Sequence, residues 1–122
     1  MMIIRTHDDH PTAFTKDIIL SFGHIKPVSS ITSRVERFIS ELALNLKNSG
    51  CRLIGHIKGL IDANENGYLF CSLVTFHGKP RFKGTLQKDI EDARLTLNII
   101  VYGIEPDIVE DIVQQGIKNH FE

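Results

Sequence analysis

The chain contains 122 residues, which is enough for one domain of ordinary size and too few for two. Hydrophobic residues make up 42% and charged residues 24%, with a formal net charge of -1, so the composition is that of a globular protein. No apolar run reaches the roughly 18 residues of a membrane-spanning helix, and the first ten residues turn polar too early for a signal peptide. Two cysteines are too few for a disulfide framework. We therefore expect a single-domain cytoplasmic protein that does not enter a membrane.

The charges are distributed unevenly along the chain. Residues 51–88 carry six Lys and Arg against two acids, whereas residues 89–122 carry two Lys and Arg against eight acids. The basic segment can complement the acidic end of the same domain, or it can contact an anionic partner.

The first half of the chain predicts one strand and one helix. Residues 1–16 lack periodicity and are expected to be a loose leader before one domain of residues 17–122. Alternation of apolar residues predicts a strand over residues 17–23. The helix that follows has Ser29 or Ser33 as its N-cap and an apolar stripe of Val35, Phe38, Ile39, Leu42 and Leu46. Gly50 suits the left-handed position that closes such a helix.

The second half predicts three strands and one helix. Residues 51–62 and 68–77 are expected to form a hairpin around the Asn66-Gly67 turn, and residues 95–103 a further strand. Pro106 is suited to the first turn of a last helix, whose predicted buried stripe is Ile108, Val109, Ile112, Val113 and Ile117.

These elements predict an α+β fold in the order β-α-β-β-β-α. The expected architecture is a two-layer sandwich, with a four-stranded mixed sheet and both helices on one face. The first two strands should run parallel, joined by a right-handed crossover through the first helix. The other face of the sheet is then open to water or to a partner.

A guessed hairpin register assigns side chains to this open face. If Ala63 faces Tyr68, the open face collects His56, Lys58, Leu60, Cys71, Leu73, Thr75 and His77. The helix-covered face then receives Leu53, Ile57, Ile61, Phe70, Val74 and Phe76. A slip of one residue would exchange the two faces of a strand.

Basic side chains continue this face along the next segment. His77, Lys79, Arg81 and Lys83 alternate with other residues, which places them on one side of an extended chain. One interpretation is a solvated edge that charge protects from aggregation. The other is a contact for phosphate, nucleic acid or an acidic protein surface. The candidate binding residues are His56, Lys58, Leu73, His77, Lys79, Arg81 and Lys83.

Metal and catalytic motifs are not recognised in the sequence. His7-Asp8-Asp9-His10 and the group of His56, His77 and Cys71 lack the spacing of a defined zinc site, so neither a metal nor another cofactor is expected. No nucleophile elbow and no glycine-rich phosphate loop occurs. Cys51 and Cys71 lie too far apart in the guessed register to form a disulfide.

Several short strings follow one another in a fixed order along residues 17–120. A strand ending at Phe22 precedes Pro27-Val28 and a helix, and His56-Ile57-Lys58-Gly59 has the form of a basic–apolar–Lys-Gly strand. Arg94, the strand ending at Gly103 and the acidic Glu105-Pro106-Asp107 come last. In this order the strings resemble the C-terminal domain of CobW-type GTPases. The chain lacks the Trp that often follows Lys-Gly, and it lacks the family's GTPase domain and cysteine-rich metal motif.

The resemblance implies a detached accessory domain, and no catalytic residue is carried over from it. The expected function is a non-enzymatic interaction or regulatory module that docks on a protein partner, such as a separate GTPase or a metal- or cobalamin-related protein. The open face is expected to bind either such a partner or a second copy of the chain. The alternative is an anion or nucleic-acid binder that uses the basic strip, and a third hypothesis is an enzyme with a site near His56 and His77.

Overall fold

The computed structural model describes residues 10–122. In chain order the elements are β1 (Thr12–Lys26), α1 (Val28–Asn48), β2 (Leu53–Asp62), a short 3₁₀ turn (Asn64–Asn66), β3 (Gly67–Leu73), β4 (Arg81–Leu86), β5 (Ile90–Tyr102) and α2 (Pro106–Phe121). The first strand begins at Thr12, so the last part of the expected leader belongs to the sheet, while residues 1–9 lie outside the described residues. Among the described residues, no helix is long and apolar enough to cross a membrane.

The sheet has five strands in the order β1-β5-β2-β3-β4, and every neighbouring pair is antiparallel. The α+β class is confirmed, whereas the prediction of a four-stranded mixed sheet is wrong. β4 escaped prediction because its sequence, Arg-Phe-Lys-Gly-Thr-Leu, is charged and carries a glycine, a composition typical of protected edge strands. β1 and β2 do run in the same direction, but β5 lies between them and pairs with both.

Both helices pack on one face of the sheet and contact each other. α1 lies against β2 and β3, and α2 lies against β1. The predicted stripe of α1 is confirmed as core, since Val35, Phe38, Ile39, Leu42 and Leu46 are all buried. In α2 the residues Val109, Val113 and Ile117 are buried, whereas Ile108 points outward and is 38% exposed.

Neither end of α1 is capped by a serine side chain. Its N-cap is Pro27, and the first helical N–H, from Val28, donates to Asp89 Oδ1 at 3.3 Å, so the predicted serine caps are wrong. The predicted closing glycine is confirmed: Gly50 has φ +99°, and the N–H of Cys51 donates to the Leu46 carbonyl at 3.0 Å. These are features of a Schellman motif.

The loop between β2 and β3 sets the register of the hairpin. The N–H of Ala63 donates to the Gly67 carbonyl at 2.9 Å, and the Asn64 N–H donates to Asp62 Oδ1 at 2.9 Å. Asn64 takes the left-handed conformation, with φ +56°. Ala63 therefore closes the loop with Gly67 instead of Tyr68, so the turn Asn64–Asn66 is one residue shorter than expected. Asp62 then faces Tyr68, and the two faces of β3 are exchanged relative to the prediction.

A second irregularity lies in β2. The register against β5 shifts between Ile54 and His56, where a Cβ on Gly55 would approach the Ile100 carbonyl oxygen to 3.0 Å. Such a bulge changes which face the preceding residues occupy. Leu53, predicted to be buried, is consequently 57% exposed, while Ile54 enters the core.

Candidate docking face

The sheet face turned away from the helices is the candidate functional surface, and we call it the open face. Direct cross-strand partners share a face of the sheet, so the registers define its members. They are Ala13, Thr15, Asp17, Ile19 and Ser21 of β1; Asp92, Arg94, Thr96, Asn98 and Ile100 of β5; His56, Lys58, Leu60 and Asp62 of β2; Tyr68, Phe70 and Ser72 of β3; and Arg81, Lys83 and Thr85 of β4.

Asp17 of β1 and Arg94 of β5 form an ion pair at the β1 side of the open face. Thr96 Oγ1 donates to Asp17 Oδ1 at 2.7 Å, and Arg94 Nη1 lies 3.5 Å from Asp17 Oδ2. An exposed pair of this kind contributes little to stability. The Asp17 carboxylate is nevertheless engaged by Thr96 and Arg94.

The opposite side of the open face is basic and unpaired. Ser72 of β3 pairs with Lys58 on one side and with Arg81 on the other, so the three form one row across the sheet. Lys83 follows two residues after Arg81 on the same face. Among residues 10–122, the side chains of these three cations make no ion pair or hydrogen bond. Their donors are free to meet an anionic group.

Apolar side chains lie at the centre of the open face, on β2 and β3, and at its β1 edge, where Ile19 faces Arg94. Ile19 is 64% exposed and Tyr68 is 51% exposed, while Leu60 and Phe70 form the half-buried centre of the face. A sheet face that met only water would carry polar residues at these positions. The open face instead combines an apolar centre with cations at one edge.

His56 belongs to this face but makes no polar contact there. It pairs with Ile100 and is half-buried, and its Nε2 atom is buried without a hydrogen-bond partner. Burial, followed by the charge of Lys58, lowers the pKa of His56 below its ordinary value. The neutral imidazole is therefore favoured at neutral pH.

The structure separates two of the predicted site residues, Leu73 and His77, from the open face, together with Cys71, which had been assigned to the same face. Leu73 is 3% exposed and packs in the helix-covered core, so its assignment to the open face is wrong. Cys71 is also core, and burial, with a smaller effect of the Glu36 charge, raises the pKa of its thiol to about 12. His77 lies beyond the end of β3, where Lys47 Nζ of α1 donates to its Nε2 at 2.8 Å.

Lys79 occupies the turn between β3 and β4. It lines a hollow of about 510 Å³ together with Arg81, Ser72, Thr75 and other residues of that turn. Of the seven predicted binding residues, His56, Lys58, Arg81 and Lys83 thus share the open face, and Lys79 borders it.

Sequence reasoning missed the aromatic members of the face. Phe70 was assigned to the core because the loop was taken one residue too long, and Tyr68 was not assigned to either face. The signal that could have corrected the register is Asp62 two residues before Asn64, since Asp commonly accepts a hydrogen bond from the backbone two positions on.

The described residues contain no group of three His, Cys, Asp or Glu side chains able to hold a metal ion. The His7-Asp8-Asp9-His10 motif lies outside them except for His10. Cys51 and Cys71 are free thiols and both are buried.

Comparisons with known proteins give little similarity. No family model matches the chain, and no curated protein matches it. Among solved structures, the Zn(II)-bound YjiA GTPase from E. coli is 14% identical, with a TM-score of 0.46 over 90% of this chain. A Zn(II)-bound triple mutant of the YjiA GTPase is likewise 14% identical, with a TM-score of 0.45 over 90% of this chain. This chain spans 30% of the length of either structure, and likeness at this level does not establish a common function.

Proposed function

We propose that this chain is a non-enzymatic interaction module that docks on a protein partner through the open face. The observation that carries the proposal is the apolar centre of Leu60, Phe70 and Tyr68, which no helix covers and which lies beside three unpaired cations. Contiguous apolar surface rimmed by polar groups is typical of interaction sites.

The charges indicate the kind of partner surface that fits. Lys58, Arg81 and Lys83 lie on the β2 to β4 side, so the complementary surface presents apolar side chains flanked by carboxylates. Charge complementarity of this kind steers encounter and sets orientation. The resemblance of residues 17–120 to the CobW C-terminal domain supports a separate GTPase, or a protein of metal or cobalamin handling, as that partner.

The test is direct binding to a purified GTPase encoded by a gene beside this one. Phe70→Asp and Tyr68→Asp place a charge at the apolar centre. Each should weaken binding at least thirty-fold, since loss of a central aromatic residue commonly costs roughly 2 kcal/mol or more of binding free energy. Leu44→Asp is the matched control, because Leu44 is 48% exposed on α1, in the opposite layer.

Unchanged binding by both open-face variants, or equal loss with Leu44→Asp, would contradict the proposal. Sedimentation of each variant alone is run in parallel. Wild-type dimers that dissociate in Phe70→Asp would identify a second copy of the chain as the partner.

A second candidate function is supported by the spacing of Tyr68 and Phe70. The two rings lie two residues apart on one face of β3, next to Lys58, Arg81 and Lys83. Aromatic rings beside cations are the elements with which sheets stack and hold single-stranded nucleic acid. Titration with a labelled twelve-nucleotide oligo(dT) at two salt concentrations tests this function, which predicts micromolar binding with a steep salt dependence.

A further inference from the structure

We propose that the hollow at the β3–β4 turn is a binding site for a phosphoryl group, the dianion of a phosphate monoester. The hollow has a volume of about 510 Å³, and its polar lining consists of Ser72, Thr75, Lys79 and Arg81. It adjoins the open face through Ser72 and Arg81. The proposal does not depend on the docking function, and the two are tested with different substitutions.

The lining provides donors and positive charge without a competing carboxylate. The two cations, Lys79 and Arg81, are exposed and make no side-chain ion pair or hydrogen bond within the part of the chain that the structure describes. The hydroxyls of Ser72 and Thr75 can donate to an oxyanion. Among the residues that the structure describes, no Asp or Glu lines the hollow.

The backbone of the turn brings these donors to one place. Ser72 and Arg81 are direct partners across β3 and β4, with Cα atoms about 5 Å apart as in any antiparallel pair. Lys58 lies on the other side of Ser72 and adds a third positive charge nearby. A Cβ at Gly78 would lie 2.4 Å from Thr75 Oγ1, so glycine at position 78 leaves the Thr75 hydroxyl its place in the hollow.

The donor set fits a phosphoryl group better than a carboxylate. An arginine fork can bind two oxygens of one anion, and a lysine adds a point charge. The two hydroxyls then remain for a third oxygen, which a carboxylate lacks. Two full charges on the protein also match the dianionic form.

Another hollow, of about 370 Å³, shows the contrast. It is lined by Arg34 and Arg37 but also by Glu122, and Arg34 Nη1 already donates to the His120 carbonyl at 3.3 Å. Its cations are therefore partly engaged, and a carboxylate competes with any anion.

The experiment is a titration of the full chain with inorganic phosphate, followed by amide chemical shifts at pH 7.5, with sodium chloride holding ionic strength constant. Saturable shifts are expected at the backbone amides of residues 72–81, with a Kd of about 1–10 mM for this small probe. Arg81→Gln and Lys79→Gln should each weaken binding roughly ten-fold, as expected for loss of a charged hydrogen bond.

Lys88→Gln is the matched control, because Lys88 is an exposed cation between β4 and β5 that does not line the hollow. Phosphate affinity should stay within two-fold in this variant. Absence of saturable shifts at residues 72–81, or equal weakening by Lys88→Gln, would overturn the site. Thermal unfolding of each variant checks that the fold is retained, and Lys79→Gln in the exposed turn carries the test if Arg81→Gln is destabilised.

A second arm compares the peptide Ala-Ala-Ser-Ala-Ala with its phosphoserine form. If the phosphopeptide binds more tightly than inorganic phosphate, the phosphoryl group that the hollow recognises belongs to a phosphorylated protein side chain. Affinity equal to or below that of inorganic phosphate assigns it to a small phosphorylated molecule. Binding of the unphosphorylated peptide with the same affinity as the phosphopeptide would overturn the proposal.

Discussion

Asp62 faces Tyr68 directly across the β2–β3 hairpin, and this pair fixes which side chains of β3 enter the core. Counting along the strands from that pair places Leu69, Cys71 and Leu73 under the helices and leaves Tyr68, Phe70 and Ser72 on the open face. The candidate docking face therefore depends on a register that substitutions in β3 can test.

Leu73→Glu should prevent stable folding, whereas Ser72→Glu should not. Leu73 is 3% exposed in the core, where an unpaired carboxylate is strongly disfavoured, and Ser72 lies on the opposite face. Leu73→Ala should lower the free energy of unfolding by about 2–4 kcal/mol and provide a measurable value if the Glu variant is unfolded. Urea denaturation followed by circular dichroism measures all three. Comparable losses from Ser72→Glu and Leu73→Ala would contradict the register.

Gly67→Ala should destabilise the protein more than Gly50→Ala. Both glycines have φ +99°, so a Cβ is strained by the backbone at either position. At position 67 the added Cβ would also lie 2.4 Å from the Thr85 carbonyl oxygen, whereas at position 50 no atom of the described residues lies within 4 Å of it. We expect a loss of about 1 kcal/mol at Gly50, as for a left-handed glycine, and at least about twice that at Gly67. Equal losses in thermal unfolding would show that the β3–β4 contact is looser than described.

The Cys71 thiol should be inert to alkylation in the folded protein. Its pKa is raised from 9.0 to about 12, first by burial and then by the charge of Glu36, so almost no thiolate exists at pH 8. Iodoacetamide followed by mass spectrometry should find Cys71 unmodified in native protein and modified in urea. Rapid modification without urea would show that β3 opens readily.

The same thiol predicts a decline of stability in alkali. Because the unfolded thiol loses its proton near pH 9 and the folded thiol only near pH 12, the unfolded state gains stability as pH rises through that interval. The free energy of unfolding should therefore fall between about pH 9 and pH 12 more steeply in wild type than in Cys71→Ala. If the free energy of unfolding falls equally with pH in the two proteins, the pKa of Cys71 is not raised in the folded state.

His56 should titrate below the ordinary histidine value of about 6.5. Burial and the neighbouring Lys58 charge disfavour its imidazolium form in the folded protein. The unfolded state then takes up the proton first, so stability present above pH 6.5 is lost as pH falls below that value. The imidazole resonance of His56 in NMR gives the pKa directly, and Lys58→Gln should raise it. A titration above the ordinary value would mean that His56 has an anionic neighbour.

The helical half of the fold and the basic residues of the candidate site could be predicted from the sequence. The stripe of α1 and the closing glycine Gly50 follow from local periodicity and local backbone conformation, which a short sequence window contains. The open-face positions of Lys58, Arg81 and Lys83 could be predicted because alternation along a strand is also a local pattern.

The aromatic part of the site and the edge strands needed information that local patterns do not contain. A loop one residue longer would bury Phe70 and expose Leu73. The length of the loop is set by the positive φ of Asn64 and by the packing of Gly67 against β4. β4 itself forms by pairing with β3, since its short, charged sequence has a glycine at its centre and only two apolar side chains, Phe82 and Leu86. Pairing between distant segments overrides propensity in such strands.

The position of β5 in the sheet bears on how the chain assembles during synthesis. Among residues 10–122, β1 pairs with β5 alone, and Lys26 at the end of β1 is 64 positions before Ile90 at the start of β5. β1 therefore leaves the ribosome long before its partner exists, and its pairing edge stays vacant until β5 has been synthesised. Two nascent chains on one messenger can exchange this strand during that interval, and an intertwined dimer would be the product.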